Sequence, residues 1–183
     1  MKRLALVLLG LIFSGGAATA DVLQNGNFAD GLSHWYGDCR STNVTGADAT
    51  SGASVELQRE WTKFTQTFDA PKGHYTVSMT FLLSPGAAFT GDEKAYRKVP
   101  AKLGFTALKE FRLKRGEFCF IVTDLAAGRY VYCAVKPQSE DSVSQTVTGT
   151  LDLPEDADQQ TFCVAFPPGN GVVTVQNVSM TAK

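Results

Sequence analysis

Hydrophobic and polar positions alternate over short runs of this chain, and clusters of glycine, proline, aspartate and asparagine separate the runs. Between residues 74 and 83 the apolar side chains occupy every second position, at Tyr75, Val77, Met79 and Phe81. This period of two is typical of a strand with one face in a core. The pattern predicts an all-β protein with strands at residues 22–24, 55–58, 64–68, 74–83, 118–123, 129–135, 143–153, 160–166 and 172–180, and a loop over most of residues 36–54.

The segment 84–116 departs from this compact pattern. Its proline and glycine residues indicate an inserted loop, and residues 101–114 have room for a short helix or an extra strand. The segment is rich in cations, namely Lys94, Arg97, Lys98, Lys102, Lys109, Arg112, Lys114 and Arg115, against Asp92, Glu93 and Glu110. Two interpretations remain open, a solvated insertion and a patch for an anionic glycan or a partner.

The first 20 residues are typical of a secretory signal peptide. Lys2 and Arg3 precede an apolar run at 4–13, and small residues lead up to Ala20. We therefore expect residues 21–183 to be exported, to the periplasm or outside the cell. Removal of the two leader cations from 17 basic residues leaves 15 against 18 acidic ones, which disfavours nucleic acid as a partner. No second apolar run approaches the roughly 18 residues of a membrane span.

Residues 118–123 and 129–135 are predicted to form a β-hairpin, closed by the turn 124–128. With the turn centred on Ala126, Cys119 lies opposite Cys133, and the face that they share is aliphatic. The opposite face is aromatic, with Phe118, Phe120 and Val122 on one strand and Tyr130 and Tyr132 on the other. Such a face is either part of a core or a platform for a sugar ring.

The four cysteines are Cys39, Cys119, Cys133 and Cys163. An even number in an exported protein favours disulfides, with three possible connectivities, and no C-x-x-C spacing supports a metal site. The hairpin register favours a Cys119–Cys133 bond, because paired residues of adjacent antiparallel strands lie close enough for a disulfide. Closing that loop of roughly 15 residues stabilises by about 3 kcal/mol. Cys39 would then remain for Cys163.

Two end segments carry a family pattern. Residues 25–35 read NGNFADGLSHW, and the last predicted strand reads VVTVQNVSM. An Asn-Gly turn tolerates positive φ, Phe28 and Leu32 can point inward, and Trp35 is large enough to close the end of a core. With FTQTF at 64–68 and GHYTVS at 73–78, these segments resemble carbohydrate-binding modules of the galactose-binding-like jelly-roll type. The resemblance implies a single antiparallel β-sandwich over residues 21–183, with an inserted loop or short helix around 84–116.

The resemblance also implies two places for a ligand, because modules of this type bind either on the concave sheet or at the loops of one end. Sugar rings stack their apolar C–H faces on aromatic side chains, and their hydroxyls need fixed polar partners at the rim. Trp61 stands out because it follows a polar stretch and belongs to no alternating strand. The candidates are Tyr130, Tyr132 and Arg129 on the sheet and Trp61, Tyr36 and His34 at the loops.

Modules of this type often hold a structural calcium ion, with a carboxylate just after the N-terminal Phe and another in the last strand. Ala29 stands at the first position, and Gln176 and Asn177 stand at the second. Calcium needs several oxygen ligands with some negative charge. We therefore expect no cofactor, and a shifted ligand set that uses Asp30 is the remaining alternative.

Catalytic patterns are weak. The chain has two histidines and no H-E-x-x-H, G-x-S-x-G or C-x-x-C motif. Carboxylate pairs such as Glu56 with Glu60, or Asp152 with Glu155, have the chemistry to flank a glycosidic bond, but their spacing selects neither pair. We therefore predict a protein that binds a carbohydrate and is not an enzyme.

Two alternatives stay open. The first is a structural or protein-interaction sandwich of the cell surface, with an extracellular protein as its partner. The second is a small jelly-roll glycosidase or lyase. An exposed aromatic strip favours carbohydrate binding, a buried strip favours the scaffold, and two facing carboxylates favour the enzyme. The glycan and the oligomeric state do not follow from the sequence.

Overall fold

The structure is a computed structural model that describes residues 20–44, 50–91, 113–124, 129–139 and 142–183. Most of the predicted leader, and residues 92–112 of the predicted insertion, lie outside the described residues. The described residues contain strands and no helix. The strands are β1 (Tyr36–Gly37), β2 (Cys39–Val44), β3 (Thr50–Glu56), β4 (Thr62–Ala70), β5 (Gly73–Leu83), β6 (Ala88–Phe89), β7 (Phe118–Asp124), β8 (Arg129–Val135), β9 (Gln145–Leu153), β10 (Ala157–Phe166), β11 (Gly169–Asn170) and β12 (Val172–Ala182).

The strands form two five-stranded sheets. The front sheet has the order β1-β4-β10-β7-β8, and the back sheet has the order β2-β3-β12-β5-β9. Neighbouring strands in both sheets are antiparallel. The short strands β6 and β11 pair separately, so that the residues after β5 lie beside the residues after β10. Among the described residues, no helix is long and apolar enough to cross a bilayer.

The core lies between the two sheets and is rich in aromatic rings. The predicted inward positions of β5, at Tyr75, Val77, Met79 and Phe81, are all buried. They face phenylalanines of the front sheet, and the ring centroids of Phe81 and Phe118 lie 5.6 Å apart. Burial of each large apolar side chain contributes roughly 1.5–3 kcal/mol. Two antiparallel sheets packed on a shared core form a β-sandwich, which confirms the predicted fold class.

The N-terminal segment closes one end of this core. The ring of Trp35 lies 5.6 Å from that of Phe28 and 5.1 Å from that of Phe64, measured between centroids. The indole nitrogen of Trp35 donates a hydrogen bond to the Asn25 carbonyl oxygen at 3.1 Å. The side chain of Asn25 in turn donates to the carbonyl oxygen of Gly31 at 3.0 Å. The predicted role of Phe28 and Trp35 as the plug of the sandwich is confirmed.

The N-terminal segment also docks on β12. The amide of Val178 donates to the Gly26 carbonyl oxygen at 2.8 Å, and the amide of Val22 donates to the Met180 carbonyl oxygen at 2.9 Å. The carboxylate of Asp21 accepts the Met180 amide at 2.9 Å. A Cβ atom on Gly26 would overlap the Val178 carbonyl oxygen, so only glycine fits this close approach. The two end segments that carry the family pattern therefore pack together.

Two expectations for the N-terminal half are wrong. Residues 36–54, predicted to be mainly loop, contain β1, β2 and most of β3. The CRSTNV sequence of β2 has no apolar alternation, which is why the sequence did not indicate a strand. Backbone pairing with β3 holds this edge strand in the sheet. Residues 22–24 form no strand, and only Asp21 makes an isolated bridge, to Thr181. The side-chain amide of Gln66 holds this segment instead, since it bonds both backbone groups of Gln24 at 2.7 Å.

Candidate functional site

The hairpin of β7 and β8 forms as predicted, but its register differs by one residue. Cys119 lies opposite Ala134, Phe120 lies opposite Cys133, and Ile121 lies opposite Tyr132. A shift of one residue moves every side chain of one strand to the other face. The prediction that Phe120 and Tyr132 share one face of the hairpin is therefore wrong. Phe120 points into the core, and Tyr132 lies on the outer face of the front sheet beside Ile121.

The register also rules out the predicted Cys119–Cys133 disulfide, because the two side chains lie on opposite faces of the hairpin. All four cysteines are free thiols. The expected partners Cys39 and Cys163 lie in different sheets, on β2 and β10. Burial raises the pKa of Cys133 and of Cys163 to about 12 and that of Cys119 well above its ordinary value. These three thiols are therefore protonated and unreactive at neutral pH.

The strand registers define the outer face of the front sheet, row by row. Directly paired residues of antiparallel strands share a face. The middle row crosses all five strands, and one row lies on each side of it. From the β1 edge to the β8 edge, the middle row is Tyr36, Thr65, Cys163, Ile121 and Tyr132. The flanking rows are Lys63, Ala165, Cys119 and Ala134, and Thr67, Thr161, Thr123 and Tyr130.

The centre of this outer face is a second apolar cluster, separate from the core between the sheets. Its buried members are Leu113, Cys119, Ile121, Cys163 and Ala165. Three half-buried aromatic side chains, Trp61, Tyr130 and Tyr132, pack against it. We call these three residues the aromatic platform and the buried members its floor. The ring centroids of Tyr130 and Tyr132 lie 6.3 Å apart, with 32° between the ring planes.

The platform joins residues from both groups of sequence-predicted candidates. Trp61 was assigned to the loops and the tyrosines to the sheet, yet all three pack on one cluster. Tyr36 lies on the same face at the opposite edge, and 66% of its surface is exposed. His34 is exposed in the N-terminal loop with a φ of 70° and has no position in the rows of this face.

Arg129 has no position in the rows of the outer face, because it alternates with Tyr130 along β8 and pairs with Asp124. Its guanidinium forms an ion pair with the carboxylate of Glu155, and both side chains are partly exposed. The pair borders a small cavity of about 40 Å³ that is also lined by Tyr130 and Leu153. A cavity of this size has room for only a few water molecules. The structure therefore separates Arg129 from the face that Tyr130 and Tyr132 share.

The floor residues were not among the predicted ligand-binding residues, although Cys119 and Cys163 were predicted disulfide partners. The segments FCFIVT in β7 and FCVAF in β10 are continuous apolar runs, whereas β5 alternates. A continuous run is typical of a strand that is buried on both faces. This signal predicts that a second layer covers the front sheet, and Leu113 and the platform supply part of that layer.

Comparison with known proteins identifies the fold. No protein-family model matches the chain, and neither does any curated protein. Solved structures do match. The CBM22-1 xylan-binding domain from Paenibacillus barcinonensis is 10% identical, with a TM-score of 0.56 over 90% of this chain and 95% of that chain. A CBM61 module in complex with β-1,4-galactotriose is 12% identical, with a TM-score of 0.52 over 90% of this chain and 100% of that chain.

The fold is that of carbohydrate-binding modules. A third match is to the CBM22-1 and GH10 modules of a Clostridium thermocellum xylanase complexed with xylohexaose, at 12% identity and a TM-score of 0.51. It covers 90% of this chain and only 29% of that chain. At these identities the likeness establishes the architecture, and function must be argued from the site itself.

The calcium site that some modules of this fold carry has no matching donor set here. The described residues contain no group of three or more His, Cys, Asp or Glu side chains that could hold a metal ion. Near the expected position, the side-chain oxygen of Asn27 accepts the amide of Ala29 at 3.2 Å, and Ala29 itself offers no side-chain ligand. Asp30 donates its amide to Asn25 at 3.1 Å, within the same loop.

Two of the four carboxylates considered for catalysis pair with other side chains. Asp152 bonds the Nδ1 atom of His74 at 2.6 Å on the exposed outer face of the back sheet. Glu155 pairs with Arg129, as described above. Glu56 lines an open polar cavity of about 400 Å³ together with Asp38 and Arg40, also on the back-sheet side. None of these carboxylates belongs to the aromatic platform.

Proposed function

We propose that this protein binds a carbohydrate on the aromatic platform and catalyses no reaction. The observation that supports the proposal best is the set of half-buried rings Trp61, Tyr130 and Tyr132, fixed over a buried floor on the outer face of one sheet. Rings held by packing lose little conformational entropy on binding, and an exposed ring face can receive the C–H face of a sugar.

Polar groups of the same face would bond the sugar hydroxyls. The middle row and the flanking row that begins at Thr67 place Thr65, Thr67 and Thr161 between Tyr36 and the platform. Their hydroxyls can both donate and accept hydrogen bonds, as the rim of a sugar site requires. Tyr36 would provide a further stacking surface at the far edge for a ligand several sugar units long.

A second candidate function is binding of an extracellular protein. The observation that favours it is the position of three half-buried aromatic side chains over a buried apolar floor on one face of the sandwich. Tyrosine and tryptophan are also the residues that anchor protein interfaces. In either case we propose that residues 21–183 act after export, which the leader sequence supports.

Isothermal titration of the purified protein against a panel of neutral and acidic polysaccharides tests the proposal. Trp61→Ala and Tyr132→Ala should each weaken binding about tenfold, or about 1.4 kcal/mol. His74→Ala removes an exposed ring from the opposite side of the molecule and serves as the control, with unchanged affinity expected. Binding that survives both platform variants with the fold intact would contradict the proposed site, and binding to no polysaccharide would favour the protein partner.

A further inference from the structure

We infer that the ligand of the platform is an acidic glycan, whose carboxylate or sulfate groups are bound by Lys114, Arg115 and Lys136. This inference rests on the proposed function, because the sugar rings would lie on the platform beside these cations. We call the three residues the basic corner. All three are exposed.

The first two cations belong to a tight turn that is anchored at the platform. Leu113 is buried in the floor cluster, and Lys114 and Arg115 follow it directly. The amide of Glu117 donates to the Lys114 carbonyl oxygen at 3.0 Å, and the amide of Lys114 donates to a Glu117 carboxylate oxygen at 2.7 Å. These two bonds and the positive φ of Gly116, 84°, fix the turn. The two cations are therefore held at the margin of the platform.

The third cation reaches the same turn from the neighbouring strand. Lys136 follows Val135, which pairs with Phe118 at the start of β7. The Cε atom of Lys136 lies 3.4 Å from the position that a Cβ atom on Gly116 would take. Its aliphatic stem thus packs over Gly116, which brings its ammonium group to the same corner.

The charge of the corner is not a consequence of a basic chain, since the whole sequence has 17 basic and 18 acidic residues. Lys63 adds a cation on the outer face itself, in the row of Cys119 and Ala165. Among the described residues, the carboxylates near these cations include Glu60, which precedes Trp61, Asp38, which accepts the amide of Lys63 at 3.0 Å, and Glu117, which the Lys114 amide partly compensates. Like charges held together repel one another, so an anion bound among them relieves that repulsion.

The test uses polysaccharide pairs that differ only in charge. Affinity of the full protein is measured for polygalacturonate and its methyl ester, and for dextran sulfate and dextran, in 20 mM and 300 mM NaCl. We expect at least tenfold preference for one of the two acidic polymers, which also identifies its acid group, and weaker binding in the higher salt. Lys114→Gln, Arg115→Gln and Lys136→Gln should each weaken that binding roughly threefold, and the triple variant more than tenfold.

Lys72→Gln is the matched control, because it removes the same charge in the turn after β4, roughly 30 Å along the strand from Trp61. Its affinity should equal that of the unmodified protein. Equal affinity for a polymer with and without its acid groups, together with loss in Trp61→Ala, would overturn the acidic ligand and leave the proposed function standing. Acid-dependent binding that is lost in the triple variant but survives Trp61→Ala would keep the basic corner and overturn the platform. Binding to none of the four polymers would overturn the acidic ligand, and the wider polysaccharide panel would then decide the proposed function.

Discussion

The outer faces of the two sheets differ although their inner faces are alike. The outer face of the back sheet carries short polar side chains in three rows, namely Thr181, Thr76 and Thr150, then Ser179, Ser78 and Thr148, then Asn177, Thr80 and Thr146. Many of these hydroxyls bond one another, as Ser78 and Ser179 do at 2.8 Å and Thr80 and Thr146 do at 2.9 Å. The front sheet has a buried apolar cluster at the corresponding place.

The difference supports the proposal that the front face is the side that binds a ligand. Strand-forming residues with a hydroxyl suffice for a face that is in contact with water. Half-exposed aromatic rings over a buried floor are typical of surfaces that bind another molecule. Under the proposal, the front face provides both stability and recognition, whereas the back face mainly completes the sheet.

The largest expected effect is on the free energy of unfolding, from a substitution that creates a cavity in the floor. Ile121→Ala removes a fully buried side chain, and we expect the free energy of unfolding to fall by about 2–5 kcal/mol. Thr148→Ala, on the outer face of the back sheet, should change it by less than about 0.5 kcal/mol. Urea unfolding of both variants measures the contrast. Similar losses at the two positions would show that the faces do not differ in burial.

An intermediate effect should follow from pH. The pKa of the Cys163 thiol rises from 9.0 to about 12 in the folded protein because of burial. Its neutral form therefore favours the folded state fully below pH 9, and this stability is lost as pH rises towards 12. At pH 10 the loss is on the order of 1 kcal/mol.

Comparison with Cys163→Ala isolates this thiol from the other groups that titrate near pH 10. Unfolding of both proteins is measured in urea at pH 8 and pH 10, with reductant present. The variant should lose less stability than the unmodified protein over this interval, by a difference on the order of 1 kcal/mol. Equal losses would mean that water reaches Cys163, which would contradict the closed floor.

The smallest effect is expected on the back face. Ser78→Ala and Ser179→Ala each remove one hydroxyl of a cross-strand pair, and a double-mutant cycle should give a coupling of about 0.2–1 kcal/mol. Ligand affinity should not change in either variant. A coupling well above this range, or a loss of binding, would assign the back face a role that its hydrated rows do not suggest.

Much of the architecture could be predicted from local patterns. The alternation from Tyr75 to Phe81 established one strand and its buried face, and the Phe28 and Trp35 positions established the plug. The site could not be predicted from local patterns alone, because the hairpin register depends on the length of its turn. A turn that is one residue longer or shorter moves the side chains of one strand to the other face. The contact of Trp61 with the floor joins residues far apart in sequence, which no local pattern reports.

The polar edge strands show a second limit. Segment 39–44 pairs with β3 along its whole length, yet its residues have no apolar period. Backbone hydrogen bonds hold such a strand, and these bonds are the same for every residue except proline. Conversely, the continuous apolar sequences of β7 and β10 do indicate strands that are buried on both faces.

The bridge between Asp21 and Thr181 has a consequence for engineering. The first and last residues of the sandwich lie side by side, since Asp21 bridges to Thr181 on β12. The amide of Lys183 is bonded to the His74 carbonyl oxygen at 2.9 Å. A short glycine-rich linker can therefore join residue 183 to residue 21, and new termini can be opened in the exposed turn at Pro71 and Lys72. Such a circular permutant would keep every strand pairing, and its new termini would lie at the same end of the sandwich as the old ones, because Lys183 is bonded to His74 just after the opened turn.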